Sequence, residues 1–589
     1  MKKFFRLLNT LIHSLEFYLF FIISLCVLFL IFEGVSPKNV QIKDRWISID
    51  SSFPITQKMK DNERLRVVFD VEPIIKNAYS LRIIPDDCVE IVLINGQALD
   101  VYEIQGRCNF SSGLILDQEM LKPFLSENKT NFEIEVKNNG GPGGINVLVL
   151  PELSLISFLA RIIFTISSLL FCVFLLRRLK TSFTFAFLLG IGVLVRVFFF
   201  LDLSYTQFAY DVDGHVEYIK LIAEHNKLPD INECWTCYHP PIYYSVSQPF
   251  WRMGSILSIS ETQMLQFQSL LFSILTLFFG FFCLKQFLCG KSLVLGSVLW
   301  CFWPTLILSA PRIGNDQFFY VTHIITLWLC IKYIATTNPR RGKYLLLAVI
   351  ISALSYWTKS TGIISIGIMS LTILIGYFPR ESNKPTKTEL IAIIASIFLV
   401  ASILLIKIYG NSNLVGNASG LHSGLRVGNE PANYLFFDIK DFIVHPYASP
   451  WEDAGGRQYF WNYLFKTSLF GEFKILTNQT GLWLATFINL SFLGVLFFAF
   501  RGWWKSKITK TTFLLMSQAI AFIAALFFLR FSHPYSCSND FRYILPILLS
   551  LIPFVANGVF DFDTTQKWKV VGALIILTFA GSSVLLLFL

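Results

Sequence analysis

Charged residues are scarce in this chain of 589 residues: only 15% are Asp, Glu, Lys or Arg, whereas 54% are hydrophobic. The mean hydropathy is +0.57. A soluble protein of this length could not bury so much apolar surface, so the composition predicts an integral membrane protein. The formal charge of +10 would suit a nucleic-acid partner. The Lys and Arg residues instead fall in short loops on one side of the predicted membrane, so no nucleic acid is expected.

Familiar catalytic signatures are also missing. The sequence contains no glycine-rich phosphate loop, no Gly-x-Ser-x-Gly motif and no histidine cluster of the metallohydrolase type. These absences argue against a P-loop nucleotidase, an α/β-hydrolase and a metal-dependent hydrolase. No low-complexity segment and no clear internal repeat is found. The chemistry must therefore lie among the polar residues that interrupt the apolar sequence.

Apolar runs of membrane-spanning length are abundant. Residues 1–34 are predicted to hold a retained anchor with its N-terminus inside, because no small-residue cleavage site follows Leu15–Phe32. Twelve later spans bring the total to about thirteen and predict a mostly α, polytopic membrane fold. They are Leu153–Leu176, Phe183–Leu201, Gln263–Leu284, Leu293–Leu308, Phe318–Tyr333, Tyr344–Trp357, Ile363–Phe378, Leu390–Ile408, Leu482–Phe500, Thr512–Leu529, Tyr543–Val559 and Val570–Leu589.

A polar insertion at residues 35–150 separates the anchor from the other spans. It has short alternating runs, such as Arg64–Val71 and Asn131–Val136, and turn signals such as Asn95-Gly96. This pattern is typical of a small extracytoplasmic antiparallel β-sandwich, and it resembles a jelly-roll carbohydrate-binding module. A purely structural sandwich is an equal alternative to glycan binding. Residues 151–589 then form the transmembrane domain.

Positive charge marks one side of the predicted membrane. Six Lys/Arg-rich loops fall on the same side as Met1, as the positive-inside rule requires of cytoplasmic loops. These loops are Arg177–Lys180, Lys285–Lys291, Asn338–Lys343, Arg380–Lys387, Arg501–Lys510 and Gln566–Lys569. The β-sandwich and the long polar loops are therefore expected outside, in our interpretation outside the cytoplasmic membrane of a bacterium.

The 11 cysteines divide between apolar spans and predicted outer segments. Cysteines in an oxidising outer compartment can form disulfides. Cys88 and Cys108 bracket a predicted hairpin and are disulfide candidates. The pair Cys234 and Cys237 is interpreted first as a disulfide that pins a loop. Zinc is the alternative, but zinc needs about four ligands and no second pair stands near in the sequence.

The most informative polar stretch is Ala209–Tyr244, which follows the span Phe183–Leu201. Two carboxylates, Asp211 and Asp213, precede a helix-like segment, and a rigid His-Pro-Pro corner follows it. A carboxylate in this position can act as general base toward an acceptor hydroxyl. An Asp-x-Asp triplet also holds metal-bound diphosphates, and Asp213 could simply cap the helix. These residues alone leave the alternatives open.

The same residues resemble the first outer loop of GT-C glycosyltransferases. Protein O-mannosyltransferases have an Asp-Glu pair and a downstream His-Pro-Pro-Leu there, and aminoarabinose transferases have Asp-Glu and Pro-Pro-Leu. This chain has Asp211-Val-Asp213-Gly-His215 and Tyr238-His239-Pro240-Pro241-Ile242. The resemblance implies a GT-C-like membrane domain with a catalytic aspartate. Asp213 is the preferred base and Asp211 the alternative, and the expected substrate contacts in this loop are His215, Tyr218 and His239.

Three later segments extend the resemblance over most of Arg161–Val559. Each places charged residues at the outer end of a predicted span, where GT-C enzymes often carry a second acid, a lysine-bearing turn and an Arg-Tyr-x-x-Pro element. The segments are Asn315-Asp316, the turn Trp357–Gly362 with Lys359, and Asn539–Tyr543 with Arg542.

Such enzymes use a sugar on a polyprenyl phosphate, so phosphate leaves and fixed cations stabilise its growing charge. The candidate cations are Lys359, Arg542, Arg457 and Arg196. Arg196 lies inside an apolar span, so an ion pair with Asp202 is its structural alternative. Arg457 lies in the aromatic loop Gly410–Thr480, which is expected to lie on the membrane as a cap over the lipid or as a simple interfacial anchor.

The sequence therefore predicts an inverting glycosyltransferase that moves a sugar from a polyprenyl-phosphate donor to a glycan, lipid or protein acceptor on the outer face. No cofactor is firmly expected, although the Asp-x-Asp triplet would suit a divalent metal. One alternative is an oligosaccharide transferase or polymer ligase that uses a diphosphate carrier. Another is a non-enzymatic translocator of lipid-linked sugars, which should carry polar residues deep within several spans.

Overall fold

The structure, a computed structural model, describes residues 37–588 with gaps at 44–47, 51–52, 54, 73–78, 103, 105, 110–112, 127–128, 140–141, 152–154, 179–180, 202, 204, 258, 337–339, 378–384, 410–422, 453–455, 477 and 561–564. Before residue 37 it describes only Leu19, Ile22 and Ile23. The predicted anchor Leu15–Phe32 otherwise lies outside the described residues. The chain divides into two compact units, Met1–Gly190 and Ile191–Leu589.

Two antiparallel sheets form the polar part of the first unit. Strands β1, β2, β4, β6, β7 and β9 form the larger sheet in the order β2-β1-β4-β9-β6-β7, and the smaller sheet has the order β3-β10-β5-β8. The strands are β1 Lys38–Lys43, β2 Ser48–Asp50, β3 Ile55–Lys58, β4 Arg64–Val71, β5 Tyr79–Pro85, β6 Cys88–Ile94, β7 Gln97–Leu99, β8 Leu114–Leu116, β9 Thr130–Lys137 and β10 Pro142–Pro151, with the short helix α1 at Gln118–Leu121.

One core joins the two sheets. In β4, Leu65, Val67 and Phe69 occupy every second position and are almost fully buried. Phe69 stands opposite Phe132 of β9, and their rings stack with centroids 5.3 Å apart. Side chains of both sheets, including Val147 of β10, belong to the same buried cluster. Alternation of period two thus builds a β-sandwich, because every second side chain of a strand faces the same side of its sheet.

Helices occupy most of the chain after residue 154. They are α2 Leu155–Arg178, α3 Phe183–Leu201, α4 Val212–His225, α5 Ile242–Leu257, α6 Glu261–Leu284, α7 Gly290–Phe302, α8 Pro304–Leu308, α9 Asn315–Ala335, α10 Arg341–Thr358, α11 Ile363–Tyr377, α12 Lys387–Tyr409, α13 Pro431–Leu435, α14 Ile439–Val444, α15 Phe460–Phe470, α16 Gln479–Lys505, α17 Lys510–Ser532, α18 Leu548–Phe560 and α19 Gln566–Phe588. Short 3-10 helices occur at Ser360–Gly362, Ser423–Leu425, Ser536–Asn539 and Phe541–Ile547.

Eight helical segments of the described chain are long and apolar enough to cross a membrane. They are Leu159–Arg177, Phe183–Leu201, Glu261–Leu284, Asn315–Ala335, Gln479–Lys505, Lys510–Ser532, Ser536–Phe560 and Gln566–Phe588. The chain is therefore an integral membrane protein. All twelve predicted spans after residue 150 coincide with helical segments, while the number that cross remains a prediction.

The predicted span Leu293–Leu308 is broken at Trp303. Pro304 begins α8 and lacks the backbone N–H that would continue α7. The indole N–H of Trp303 instead donates to the carbonyl of Ser468, 2.7 Å away, and the hydroxyl of Thr305 donates to the same oxygen at 2.8 Å. Helix α15, which carries Ser468, is therefore fixed against the break.

Successive helices of the second unit bring several polar ends together. Helix α4 packs on α5, α5 on α6, α6 on α9, and α9 on α10. Because α9 and α10 are joined within a few residues, the first turn of α9 and the last turn of α10 lie at the same end of the pair. The segment Phe541–Ile547 packs against both α9 and α15. This arrangement positions the charged residues described next.

Candidate functional site

Asp211 lies at the N-terminal end of α4. Its backbone has φ 48°, in the left-handed region, and its side chain does not cap the helix. The hydroxyl of Thr236 donates to the carbonyl of Gly214 in the first turn of α4, at 2.7 Å. Cys234 and Cys237 flank Thr236 and are joined by a disulfide. The loop after α4 is thus held against the start of the helix, and the Asp211 side chain is free for contacts elsewhere.

The buried face of α4 is packed with aromatic and imidazole rings. Nδ1 of His215 shares a hydrogen bond with the hydroxyl of Tyr244 at 2.9 Å. The ring of Tyr218 stacks on Tyr244 with centroids 3.8 Å apart, and the ring of His239 lies 5.8 Å from that of His215. Burial lowers the pKa of both His215 and His239 to about 3. Both imidazoles are therefore neutral at physiological pH.

An ion pair joins the ends of α9 and α10. Lys359 follows the last turn of α10, and its ammonium group bonds the carboxylate of Asp316 in the first turn of α9. The Lys359 side chain is 10% exposed. Its Nζ lies 4.9 Å from the centroid of the Tyr543 ring, within the range of a cation–π contact.

The guanidinium of Arg542 also lies near the Tyr543 ring. Its Cζ is 5.0 Å from that ring centroid and 3.8 Å from the ring centroid of Tyr210. Nη2 of Arg542 is 3.6 Å from a carboxylate oxygen of Asp211, and Nε is 3.9 Å from one of Asp540. The Asp211 side chain is 50% exposed, so its carboxylate faces both Arg542 and solvent.

Four distant parts of the chain therefore meet in one cluster of charged side chains, which we call the ionic cluster. It consists of Asp211, Asp316, Lys359, Asp540 and Arg542. The hydroxyl of Tyr320 in α9 donates to the carbonyl of Arg542 at 2.6 Å and so ties two of these parts together. Every member except Asp540 was predicted from the sequence as a site residue, and Asp540 lies within the predicted motif Asn539–Tyr543.

Asp213 has a different environment. It lies in the first turn of α4 and is exposed at the surface. Partial desolvation and the negative charge of Glu217, one turn along the helix, raise the pKa of Asp213. Within the described part of the chain no ion pair to Asp213 is found. The two aspartates of the triplet thus differ in that only Asp211 contacts Arg542.

Two of the candidate cations donate hydrogen bonds to backbone carbonyls. Arg196 in α3 is buried and donates to the carbonyls of Gly192 at 2.8 Å and Cys301 at 3.0 Å. Its predicted partner Asp202 lies outside the described residues. Arg457 donates to the carbonyls of Gly424 and Pro450, at 2.6 and 2.9 Å. Both arginines satisfy peptide oxygens there, and their roles as phosphate contacts stay predictions.

The aromatic loop is not simply a surface layer. Most side chains of α15 are buried in the second unit. Lys466 of this helix is fully buried and pairs with Asp441 at 2.8 Å. The hydroxyl of Thr467 accepts a hydrogen bond from the backbone of Phe541 at 3.1 Å. Helix α15 therefore supports the segment that carries Arg542, while the placement of the loop as a cap over the lipid stays a prediction.

Sequence reasoning missed three residues that border the ionic cluster: Tyr210, Arg312 and Glu472. The guanidinium of Arg312 lies 4.6 Å from the Tyr210 ring centroid, and its Nε donates to the carbonyl of Phe208 at 2.5 Å. The backbone N–H of Glu472 donates to the hydroxyl of Tyr210 at 3.1 Å. Only the position of Tyr210 next to Asp211 could have pointed to this group.

Two further predictions concern the cysteines of the first unit and a metal site. Cys88 and Cys108 are joined by a disulfide in the first unit. Among the residues with described positions, no group of three or more His, Cys, Asp or Glu side chains could hold a metal ion. The ionic cluster instead mixes carboxylates with cations, an arrangement that suits the binding of an anion beside a base.

No protein-family model matches the sequence, and no curated protein matches it. Solved structures that are similar to this chain include the oligosaccharyltransferase of Archaeoglobus fulgidus, with 14% identity and a TM-score of 0.39 over 68% of this chain and 55% of that one. The chain thus spans about half the length of this neighbour.

Two further similar structures come from bacteria. ArnT of Cupriavidus metallidurans, solved with undecaprenyl phosphate, has 11% identity and a TM-score of 0.33, over 64% of this chain and 78% of that one. The arabinosyltransferase EmbB of Mycobacterium smegmatis has 11% identity and a TM-score of 0.33, over 92% of this chain and 53% of that one. All three neighbours are GT-C glycosyltransferases, the class that the sequence motifs resemble.

Proposed function

We propose that the protein is an inverting membrane glycosyltransferase that takes a sugar from a polyprenyl-phosphate carrier and transfers it to a hydroxyl acceptor on the outer face of the membrane. The observation that carries the proposal is the ionic cluster, in which Asp211 and Arg542 face each other at 3.6 Å with Lys359 beside the same aromatic ring. A potential base therefore lies next to cations that suit a leaving phosphate.

In the proposed reaction the acceptor oxygen attacks the anomeric carbon and its proton moves to the carboxylate of Asp211. The bond between the sugar and the phosphate oxygen breaks, and its electron pair stays on the phosphate. Arg542 and Lys359 stabilise that growing negative charge more in the transition state than in the ground state. A donor phosphate that takes over Arg542 also releases Asp211 to accept the proton. Single displacement inverts the anomeric centre.

Asp211 is the proposed base in preference to Asp213, which the sequence had favoured. What supports Asp211 is its contact with Arg542 and its half-exposed carboxylate, which an acceptor can reach. Asp213 instead faces Glu217, another carboxylate on the same helix. His215 and His239, both neutral, are proposed to line the substrate side, where an uncharged imidazole can hydrogen-bond a sugar hydroxyl.

The proposal is tested in cells that lack the gene and are complemented with variants, by mass spectrometry of their surface glycans. Asp211→Asn keeps the size of the side chain but removes the base, so transfer should fall at least about 100-fold. Asp213→Asn should retain most of the transfer. Glu224→Gln is the matched control, because Glu224 is an exposed carboxylate on the same helix that pairs only with Lys220 in the described contacts.

Measurement of donor-lipid binding distinguishes a variant that has lost catalysis from one that has lost its fold. Purified Asp211→Asn protein should still bind undecaprenyl phosphate, because the cations Lys359 and Arg542 are intact. Full transfer by both the Asp211→Asn and the Asp213→Asn proteins would refute an aspartate base in this loop. Loss in Asp213→Asn with full transfer in Asp211→Asn would reassign the role to Asp213.

A further inference from the structure

Glu472 lies beside the ionic cluster and has no part in the proposed reaction. It follows Gly471, whose φ of +64° ends α15 in the left-handed region that favours glycine. A Cβ at Gly471 would lie 2.8 Å from the hydroxyl of Tyr210. The backbone N–H of Glu472 donates to that hydroxyl, and the Glu472 carboxylate accepts a hydrogen bond from Tyr463 of α15. Glu472 is thereby fixed next to the residue that precedes Asp211.

The charges around this position do not balance when every acid is ionised. Four carboxyl groups and three cations lie within the ionic cluster and its border, and the nearby imidazoles are neutral. They are Asp211, Asp316, Asp540 and Glu472 against Lys359, Arg542 and Arg312. With all four acids charged, an anionic phosphate would enter a site of net negative charge. With one acid protonated, the site is neutral before the phosphate arrives.

Glu472 is the carboxyl group best placed to hold that proton. Asp316 pairs with Lys359, and Asp211 and Asp540 both face Arg542. Among the described contacts Glu472 has no ion pair and is instead bonded by the neutral Tyr463.

The surroundings of Glu472 act on its proton in opposite directions. Desolvation, followed by the negative charge of Asp540, raises the pKa of Glu472 to about 8, while Arg542 and the Tyr463 hydrogen bond lower it. Asp211 also faces this group from the start of α4. The balance favours the protonated acid at neutral pH.

Taking the proposed function as its basis, we propose that Glu472 must carry a proton for the ionic cluster to bind the phosphate of a lipid carrier. Glu472 is then a positioning residue that sets the upper pH limit of donor binding. It acts through Arg542, because an ionised Glu472 would compete with the phosphate for the positive charge. Loss of the proton as pH rises therefore weakens phosphate binding, whereas acidification to neutral pH restores it.

The experiment measures binding of undecaprenyl phosphate to the purified full-length protein as a function of pH. For the wild type, affinity should fall about tenfold between about pH 7 and about pH 9, as expected when binding requires one proton on a group that titrates near 8. Glu472→Gln, which mimics the protonated acid, should show less than about a twofold change over this range. Glu452→Gln is the matched control, because Glu452 is an exposed acid of the same loop, and it should behave as the wild type.

A second variant keeps Glu472 and changes only its pKa. Tyr463→Phe removes a hydrogen bond that favours the ionised form of Glu472, so the loss of binding should move to higher pH. An unchanged pH profile in both Glu472→Gln and Tyr463→Phe would overturn the role of Glu472 and leave the proposed function standing. Absence of undecaprenyl phosphate binding by the wild type at every pH would instead refute the donor class, and this inference with it.

Discussion

The charges of the ionic cluster occur beside opposite charges, as their partial burial requires. Lys359 and Asp316 are 10% and 24% exposed in their side chains, and Asp540 is 1% exposed. An isolated charge at such a depth loses its hydration without compensation, so each partner depends on the other. A ligand phosphate can join this arrangement because cations hold more than one anion at a time, as Arg542 does between Asp211 and Asp540.

Removal of Lys359 should therefore affect both stability and binding. Lys359→Ala leaves Asp316 as an uncompensated buried charge, at a cost of roughly 3 kcal/mol. The midpoint of thermal unfolding in detergent should fall, and undecaprenyl phosphate should bind more weakly. The double variant Lys359→Ala, Asp316→Asn should recover most of the thermal stability but not the binding.

The control for this prediction is Lys220→Ala, which removes an exposed lysine whose pair with Glu224 spans one helical turn. Exposed pairs contribute about 1 kcal/mol or less, so neither measurement should change noticeably. Equal binding by wild type and Lys359→Ala protein would exclude Lys359 as a phosphate contact. Failure of the double variant to regain stability would show that the ion pair is not the source of the loss.

Much of this cluster could be predicted from sequence, because Asp316, Lys359 and Arg542 lie within two residues of a predicted span and Asp211 lies in the polar loop after one. Glu472 gave no such signal, since it lies in the middle of a long aromatic loop whose fold depends on contacts distant in sequence. Charge alone does not tell which cations meet the cluster: Arg196 and Arg457, also predicted as phosphate contacts, donate to backbone carbonyls.

Helix α4 is the element whose placement decides the position of Asp211. Its first turn lies against the loop closed by the Cys234–Cys237 disulfide, and Gly214 permits that approach. A Cβ at Gly214 would lie 2.6 Å from Cγ2 of Thr236 and 2.8 Å from Cδ1 of Trp235. These contacts are too short to keep, so a larger residue must push α4 away from the loop.

Gly214→Ala should therefore reduce glycosyl transfer although alanine is the better helix former. A shift of the helix by up to about 1 Å displaces the Asp211 carboxylate, which can lower the rate of transfer by roughly 100-fold. Gly367→Ala in α11 is the control, because a Cβ there would meet no atom within 4 Å. Transfer at the wild-type rate by Gly214→Ala protein would mean that the loop yields without moving α4.

Element types were easier to predict than element positions. The alternating residues of β4 and β9 predicted strands, and they pair in the larger sheet with Val67 opposite Ile134. The twelve apolar runs after residue 150 predicted helices, and helices are found there. The break at Trp303 was not foreseen although Pro304 is a local signal for it. The burial of α15 was not foreseen because it depends on contacts distant in sequence, such as the hydrogen bonds to Ser468. Local patterns specify the type of an element, whereas its neighbours decide where it ends and what covers it.

For the molecule as a whole, the ionic cluster gathers residues separated by more than 300 positions in the chain, from Asp211 to Arg542. Each member lies at the end of a helix or in a connecting segment, and the helices between them supply the apolar length. A site built this way places polar groups at the ends of apolar helices. It is the arrangement expected for a reaction between a lipid-anchored donor and a water-soluble or membrane-bound acceptor.

The orientation of this arrangement in the membrane is a separate prediction, which follows from the Lys/Arg-rich loops. If those loops are cytoplasmic, the segment after α4 is outside and the loop that contains Cys289 is inside. Cys289 is an exposed free thiol, and Lys227 is an exposed residue that follows α4. A membrane-impermeant maleimide should label the Lys227→Cys protein in intact cells but reach Cys289 only after lysis, as read from the labelled peptides by mass spectrometry.

Cys289→Ser is the control that identifies the inner signal, since its peptide can take no label under either condition. The maleimide does not need to cross a bilayer to reach an outer thiol. A comparison of intact with lysed cells therefore shows on which side of the membrane a thiol lies, whatever its reactivity. Labelling of Cys289 in intact cells, together with protection of the Lys227→Cys site, would put Asp211 and Arg542 on the cytoplasmic side. An outward-facing transfer reaction would then be impossible for this chain, whatever the chemistry of the ionic cluster.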